Sequence, residues 1–260
     1  MATTKNIQSI ERAFAILDLF QQLGKNELSV KEIAEGLHLN KSTAFGLINT
    51  LASLGCLEQD RSNQKYMLGL KLLSLASTVQ TQNVIILSVH PYLEQLNHMY
   101  DETVHCAIRN GDGVVYVDKV DAGSIHISTQ IGSQNDMHCT GVGKCILAYL
   151  PQSTQDRILS KHMRSLTYNT ITNALQLREE LERVRRQGYA TDNEEISVGL
   201  SCVAVPVFSG PETVACAISV SGMTARIRTA VEHGLVENLK RTAAAISHEV
   251  FDFDYDPKLD

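Results

Sequence analysis

No run of eighteen apolar residues occurs in this 260-residue chain, and a membrane-spanning helix needs about that many. A charged-then-apolar leader is missing as well, so a cytoplasmic protein, neither secreted nor membrane-bound, is expected. The six cysteines are scattered and form no CxxC pair, which suits reduced thiols better than a disulfide frame or a zinc ribbon. Strong positive charge is absent too. The net charge is −6, with eight Lys/Arg against seven Asp/Glu in residues 1–80 and fifteen against twenty-two in residues 81–260. Indiscriminate binding to nucleic acid is therefore disfavoured. Any grip of the first part on a polyanion has to come from a few placed contacts repeated over several copies of the chain. The length fits one or two domains.

Residues 29–55 carry the first positive signals. Ser29 is placed to cap a helix while Glu32, three residues on, reaches back to its backbone N–H as a capping box. Val30, Ile33, Ala34 and Leu37 then share one face. Asn40 is a natural N-cap for a second helix, with Ala44, Leu47, Ile48, Leu51 and Leu54 as its buried stripe and Gly55 at its end. The opposite face holds Ser42, Gly46, Asn49 and Ser53, flanked by Lys41 and Phe45. A second helix with a small, polar outer face suits a DNA groove. Asn49 can read base edges, Lys41 and Ser42 can hold phosphates, and Phe45 can touch a thymine methyl. The helix pair alone equally describes a surface helix of a small α-domain.

What surrounds the pair favours the groove. Leu57–Gln59 and Lys65–Leu68 are short strand candidates around the polar tip Asp60-Arg61-Ser62-Asn63-Gln64. That is the wing of a winged helix, and Arg61 and Lys65 can meet the phosphate backbone. Ahead of it, Ile10, Phe14, Leu17 and Phe20 form the apolar stripe of a supporting helix. Leu70–Gln80 reads as a further helix, with Leu70 and Leu73 on one side, and Val84–Tyr100 as another interrupted by Pro91. The expected division is a winged helix-turn-helix domain over 1–69, a helical linker over 70–82 and a second domain over 83–260.

The second domain reads as α+β. Thr103–Arg109 and Val114–Val120 are strand candidates around Asn110-Gly111-Asp112-Gly113, a strong hairpin signal. Ser124–Ile131 alternates as a strand with one buried face. A helix starts at Gly141 and runs to Leu150, and Asn173 caps another that runs to Gln187 before Gly188. Cys202–Phe208 and Thr213–Ser221 are strands around Gly210-Pro211, and an amphipathic helix covers about 229–251. Together they suggest a mixed sheet with helices on its faces.

Several runs resemble one family throughout. Gln8-Ser9-Ile10-Glu11-Arg12-Ala13, the Lys41-Ser42-Thr43 turn and the Tyr66-Met67-Leu68-Gly69 exit are similar to the DNA-binding domain of IclR-type transcriptional regulators. So are His138-Cys139-Thr140-Gly141-Val142-Gly143-Lys144, Gly188 through Glu195, Gly199 through Val207, and Ala217 through Gly222. The resemblance covers nearly the whole chain in order. It implies a GAF/PAS-like effector-binding domain, a linker that carries a dimer contact, and assembly as a dimer or a dimer of dimers on a double-stranded operator. It also implies an effector pocket at Gly141, Val142, Asp192, Leu200, Cys202, Ser219 and Ser221. The chemistry is coherent: N–H groups at a helix start suit a carboxylate, serines two apart on a strand share a face, and Asp192 can accept from a hydroxyl. The Asp192-Asn193-Glu194-Glu195 run looks closest to repressors of sugar-acid breakdown of the 2-keto-3-deoxygluconate kind. The expected DNA contacts are Lys41, Ser42, Thr43, Phe45, Gly46, Asn49, Arg61 and Lys65. Gly46 departs from the family, many of whose members have a larger polar or basic residue there, so readout leans on Asn49, Phe45 and the wing.

Other constellations point less far. His138-Cys139 with Cys145, Cys106 and His105 matches no structural zinc spacing, and no metal or cofactor is expected. Gly141-Val142-Gly143-Lys144 lacks the rest of a phosphate loop. The charged run Arg178–Arg186 reads as a solvated helix face. Cys202 with Asp192 and unpaired histidines leaves open a thiol hydrolase carrying an accessory winged domain, and a pure assembly module is a third reading. The preferred expectation is a ligand-responsive DNA-binding regulator, a repressor of sugar-acid or organic-acid catabolism, and not an enzyme.

Overall fold

The computed structural model describes residues 6–82, 84–123 and 127–257. The chain divides into two compact units, Met1–Asn83 and Val84–Asp260.

In the first unit, α1 (Gln8–Leu23), α2 (Val30–Gly36) and α3 (Lys41–Ser53) precede a two-stranded antiparallel ribbon, β1 (Leu57–Gln59) and β2 (Tyr66–Leu68), and then α4 (Leu70–Gln82). The capping box forms as expected: the Ser29 hydroxyl oxygen accepts from the Glu32 N–H at 3.2 Å, and the Glu32 carboxylate accepts from the Ser29 N–H at 2.9 Å. Lys25 adds an ion pair to Glu32 at 2.7 Å. Hydrogen bonds from Lys25 first, then Ser29, hold the Glu32 carboxyl down at about 2. Asn40 caps α3, its side-chain oxygen accepting from the Thr43 N–H at 2.8 Å, and Gly55 takes the left-handed conformation just past the helix end at φ 75°.

Two sequence expectations for this unit are corrected. On α1 the core takes Ile16, Leu19 and Phe20, with Ala13 and Leu17 partly buried, whereas Ile10 and Phe14 are 53% and 63% exposed. The helix carries two overlapping apolar stripes, and packing against α2 and α3 selects the second. Leu54, expected in the stripe of α3, is exposed because the helix ends at Ser53 and the chain turns away.

The second unit is a six-stranded sheet in the order β5-β4-β3-β8-β7-β6. Its strands are β3 (Thr103–Asn110), β4 (Gly113–Val120), β5 (Gln134–Asp136), β6 (Ala190–Asn193), β7 (Leu200–Gly210) and β8 (Thr213–Met223). The α+β class holds, and every described strand pairing is antiparallel rather than mixed in direction. The helices are α5 (Val84–Tyr100), α6 (Gly141–Ala148), α7 (Gln152–Leu159), α8 (Ala174–Gln187), α9 (Thr224–Glu232) and α10 (Leu235–Phe251).

Alternation along the central strands sorts the two faces. Val104, Cys106, Val203, Val205, Val207, Ile218 and Val220 join Val89, Leu93, Leu96, Leu239 and Ile246 in one core beneath α5 and α10. Several of the intervening positions are small. Ala107, Ala204 and Ala217 join Val142, Cys145, Ile146, Leu177 and Leu181 in a second core beneath α6 and α8. Small side chains let α6 lie close: a Cβ on Gly141 would stand 2.7 Å from the Cys202 sulfur and 3.1 Å from the Ala204 Cβ.

Further corrections fall in this unit. α5 runs through Pro91 without ending. Burial of Val89 and Leu93 on either side outweighs the cost of about 3 kcal/mol for an interior proline. The strand expected over Ser124–Ile131 begins in residues that lie outside the described ones, and 127–131 form no strand. Instead the Lys119 ammonium donates to the carbonyls of Ile127 and Thr129 at 2.7 and 2.9 Å, taking acceptors a ladder would use. The final helix is two, α9 and α10, broken at Gly234 with φ 85°. β5, β6 and α7 were not anticipated; all three are short.

Removing the Ser29 hydroxyl breaks both halves of the capping box. Ser29→Ala is expected to destabilise the N-terminal unit by about 1 kcal/mol, measured by chemical denaturation with a probe in that unit. No change would mean that α2 is held by packing alone.

Candidate functional site

On α3, Lys41, Ser42, Phe45, Gly46 and Asn49 all face solvent, while Ala44, Ile48 and Leu51 are buried behind them. Phe45 is 50% exposed, unusual for so large an apolar ring. The helix carries no acidic residue, so Lys41 sets the sign of the ridge. Thr43 is half-buried, its N–H engaged in the cap. The Ser42 hydroxyl donates to the Asn40 side-chain oxygen at 3.0 Å, which positions it at the helix start. Ser53, expected on the same face, turns its hydroxyl back to the Thr50 carbonyl at 2.8 Å. Arg61 is exposed at the wing tip; Lys65 is half-buried and precedes β2 instead of opening it. The tip is a tight turn in which Asp60 accepts from the Ser62 N–H and hydroxyl, both at 2.7 Å. Those bonds lower its carboxyl below the ordinary range.

In the second unit the seven residues expected around an effector, Gly141, Val142, Asp192, Leu200, Cys202, Ser219 and Ser221, line one cavity of about 80 Å³. Strand register explains the convergence. Asp192 pairs with Cys202, Cys202 with Ser221, and Ala204 with Ser219, so these side chains share the face on which α6 lies. Thr140 caps α6, its hydroxyl oxygen accepting from the Gly143 N–H at 3.0 Å. Ile127 and Thr129 close another side.

The charges here are sequestered. Lys144 is buried and donates to Glu195 at 2.5 Å, with Glu180 of α8 at 3.6 Å. This corrects the reading of 178–186 as a wholly solvated face, because a lysine taken out of water needs carboxylates beside it. Asp192 is held by the Glu195 N–H at 2.7 Å. Burial raises its carboxyl to about 6, against the opposing pull of that hydrogen bond. Burial likewise pushes the Cys202 thiol up to about 12, so it stays a thiol at neutral pH. Two of the residues weighed as metal ligands have other partners: His138 meets the Arg164 carbonyl at 3.1 Å and Cys145 the Ala204 carbonyl at 3.2 Å. Among the described residues no group of three His, Cys, Asp or Glu is arranged to hold a metal.

Sequence reasoning missed His105 and Tyr116, which also line the cavity. Their alternation with Val104 and Val117 was visible, but nothing in the chain said which face of β3 and β4 would meet α6.

A winged helix-turn-helix unit followed by a sheet enclosing a polar cavity defines a ligand-sensing regulator of transcription. Family models agree. Residues 9–61 match the IclR helix-turn-helix domain and residues 76–248 match the bacterial transcriptional regulator IclR C-terminal domain. Among curated relatives, the HTH-type transcriptional regulator KdgR of Dickeya chrysanthemi is 32% identical over 96% of this chain and 83% of its own. The regulator XynR of Escherichia coli is 33% identical over 93% of this chain and 96% of its own. An IclR transcriptional regulator from Alicyclobacillus acidocaldarius superposes with a TM-score of 0.83 at 29% identity, covering 94% of this chain and 98% of that one. The Thermotoga maritima IclR gives 0.75 at 32% identity over 94% and 99%. The chain belongs to the IclR family and is a DNA-binding transcriptional regulator.

Asp192 provides a test of the cavity's electrostatics. Its folded carboxyl titrates near 6 against a reference value of 3.8, so its contribution to stability is full below the unfolded value and is lost as pH rises through about 6. Asp192→Asn removes that loss and keeps an acceptor for the Glu195 N–H. The variant is expected to exceed the parent by about 2 kcal/mol at pH 7 and to match it near pH 4, read from urea midpoints across that range. A constant difference at every pH would refute the assignment.

Proposed function

We propose that this regulator acts as a ligand-responsive repressor of an organic-acid catabolic operon, working in the cytoplasm as a dimer or a dimer of dimers. Residues 1–69 read the operator, 70–82 form the connecting helix and 83–260 bind the effector. The observation that carries the reading is the solvent-facing, acid-free ridge of α3. Asn49 reads base edges, Phe45 contacts a thymine methyl, and Lys41, Ser42, Thr43, Arg61 and Lys65 position the protein on phosphates. Oligomerisation is supported by apolar side chains left in water: Ile7, Ile10 and Phe14 on and before α1, and Leu70, Leu73 and Val79 on α4, are each more than half exposed. Repression is supported by relatives named as repressors, such as AllR of Salmonella typhi at 31% identity over 86% of this chain.

The effector is a small organic acid. The cavity's N–H groups at the start of α6, with Ser219 and Ser221, suit a carboxylate and neighbouring oxygens. A volume of about 80 Å³ is only a few times the roughly 30 Å³ that one water takes up in the liquid, so the cavity is small. That favours a two- to four-carbon acid; a six-carbon sugar acid requires Ile127 and Thr129 to draw back. Asp192 and Cys202 serve binding, because a protonated thiol without a paired base is no nucleophile. No cofactor is needed for this role.

Fluorescence anisotropy with a palindromic fragment from the regulator's own promoter, at 50–200 mM salt, tests the reading. Lys41→Ala is expected to weaken binding to all sequences and to lower the salt slope by about 1, whereas Asn49→Ala loses about 1–3 kcal/mol of discrimination. Equal, salt-insensitive binding to every duplex would defeat it. Gly46→Ala separates close approach from simple exposure. A Cβ there meets nothing within 4 Å, so the helix gains about 1 kcal/mol while operator affinity is expected to fall. Undiminished affinity would show that the backbone does not approach DNA closely.

A further inference from the structure

Of the six phenylalanines and eight tyrosines in this chain, Tyr149, Phe208, Phe253 and Tyr255 meet around one cavity of about 310 Å³. That volume reaches the range of small-molecule sites. It shares no lining residue with the cavity beneath α6. Phe208 lies well beyond Cys202 on β7, about 20 Å away at the usual rise per residue. Its ring stands edge-on to both Tyr149 and Tyr255, at 4.9 Å between centroids in each case. Phe253 stacks on Tyr255 at 6.5 Å, and Pro206 and Pro211 complete the apolar lining.

One wall is the segment that follows α10. The helix stops where Asp252 takes the left-handed conformation at φ 52°. From there exposed Asp252, Asp254 and Asp256 alternate with the partly covered Phe253, Tyr255 and Pro257. The His248 Nδ1 stands 2.9 Å from the Asp254 carboxylate and steadies the outer side. The charges of the lining are sorted by depth. Lys240 of α10 is 3% exposed, its Nζ over the Tyr189 ring at 5.7 Å, and the Arg185 guanidinium lies over the Tyr149 ring at 5.2 Å. The acids sit at the rim: Asp256 is exposed, and Glu212, its side chain 76% exposed, comes no nearer to Arg185 than 3.8 Å. Burial raises both phenols, Tyr149 to about 12, and neither hydroxyl has a hydrogen-bond partner among the described residues. A covered phenol normally finds one.

We propose that this cavity is a second small-molecule site, one that takes a planar aromatic anion. The ligand's rings pack among Tyr149, Phe208 and Tyr255, and its carboxylate meets Arg185, with Lys240 and the phenol hydroxyls as further donors. Ring edges and faces pair electrostatically, which selects a flat molecule over a puckered one. A guanidinium presents a fork that fits a carboxylate. A bound ligand ties residues 252–257 to β7 and to the end of α6. The site stands apart from the effector reading, and neither depends on the other.

The probe is 2-naphthoate, with two analogues as controls. Decahydro-2-naphthoate keeps the charge and loses the planar rings; 2-naphthamide keeps the rings and loses the charge. Titration calorimetry on the full-length protein is expected to show 2-naphthoate binding about tenfold or more tighter than either analogue. Tyr255→Ala and Arg185→Gln should each weaken 2-naphthoate by about tenfold or more. Amide spectra of the parent locate the site: Gly188 and Phe253 shift on adding 2-naphthoate and Val142 does not. If a variant does not fold, the amide shifts and the analogue series on the parent decide. Shifts at Val142 with none at Gly188 or Phe253 put the probe in the cavity beneath α6 and overturn the proposal. Equal binding of 2-naphthoate and either analogue, or an affinity unchanged in either folded variant, overturns it as well. So does an absence of binding at millimolar 2-naphthoate, which leaves the effector reading standing.

Discussion

The close approach of α6 to the sheet is the constraint on which the sensor unit depends. It is possible only because one face of β7 and β8 carries Ala204, Ala217, Ser219 and Cys202 while the other carries Val203, Val205, Ile218 and Val220. The large face makes an ordinary core with α5 and α10. The small face leaves room for a helix whose first residue, Gly141, lies against the Cys202 sulfur. Where the small side chains are serines and not alanines, the space left over is polar, and that space is the cavity.

The buried charges hold this geometry in place. Lys144, one turn into α6, is tied to Glu195 in the segment after β6 and to Glu180 on α8. Glu195 also donates its N–H to Asp192. Removing any one member leaves a charge in a dry interior, so the elements around the cavity are positioned by the same groups that would be most expensive to separate. Opposite them, the Lys119 ammonium holds the carbonyls of Ile127 and Thr129. The lining residue Asp192 is thus tied to the buried ion-pair cluster, and the lining residues Ile127 and Thr129 are held by a single lysine, an arrangement in which a ligand can bias one side against the other.

The N-terminal unit follows a different logic. Its core is small and local, built from three short helices and a ribbon, and its two capping devices at Ser29 and Asn40 fix where α2 and α3 begin. What it leaves exposed matters as much as what it buries. Phe45 on the ridge, and Ile10 and Phe14 on α1, are large apolar side chains that the unit does not cover for itself.

By itself the sequence determined the local devices: the caps at Ser29, Asn40 and Asn173, the hairpin at Asn110–Gly113, the wing, and the periodicity that separates a winged unit from a sheet. These depend on neighbours a few residues apart, which a linear chain displays. The family resemblance further singled out seven residues that the fold gathers around one cavity. Only the tertiary structure decided which of two stripes on α1 faces inward, that α5 runs through Pro91, that Glu180 is internal, and that His105 looks into the cavity. Each of those turns on what a distant element offers as a partner, because a helix or strand with two usable faces is indifferent until packing chooses one.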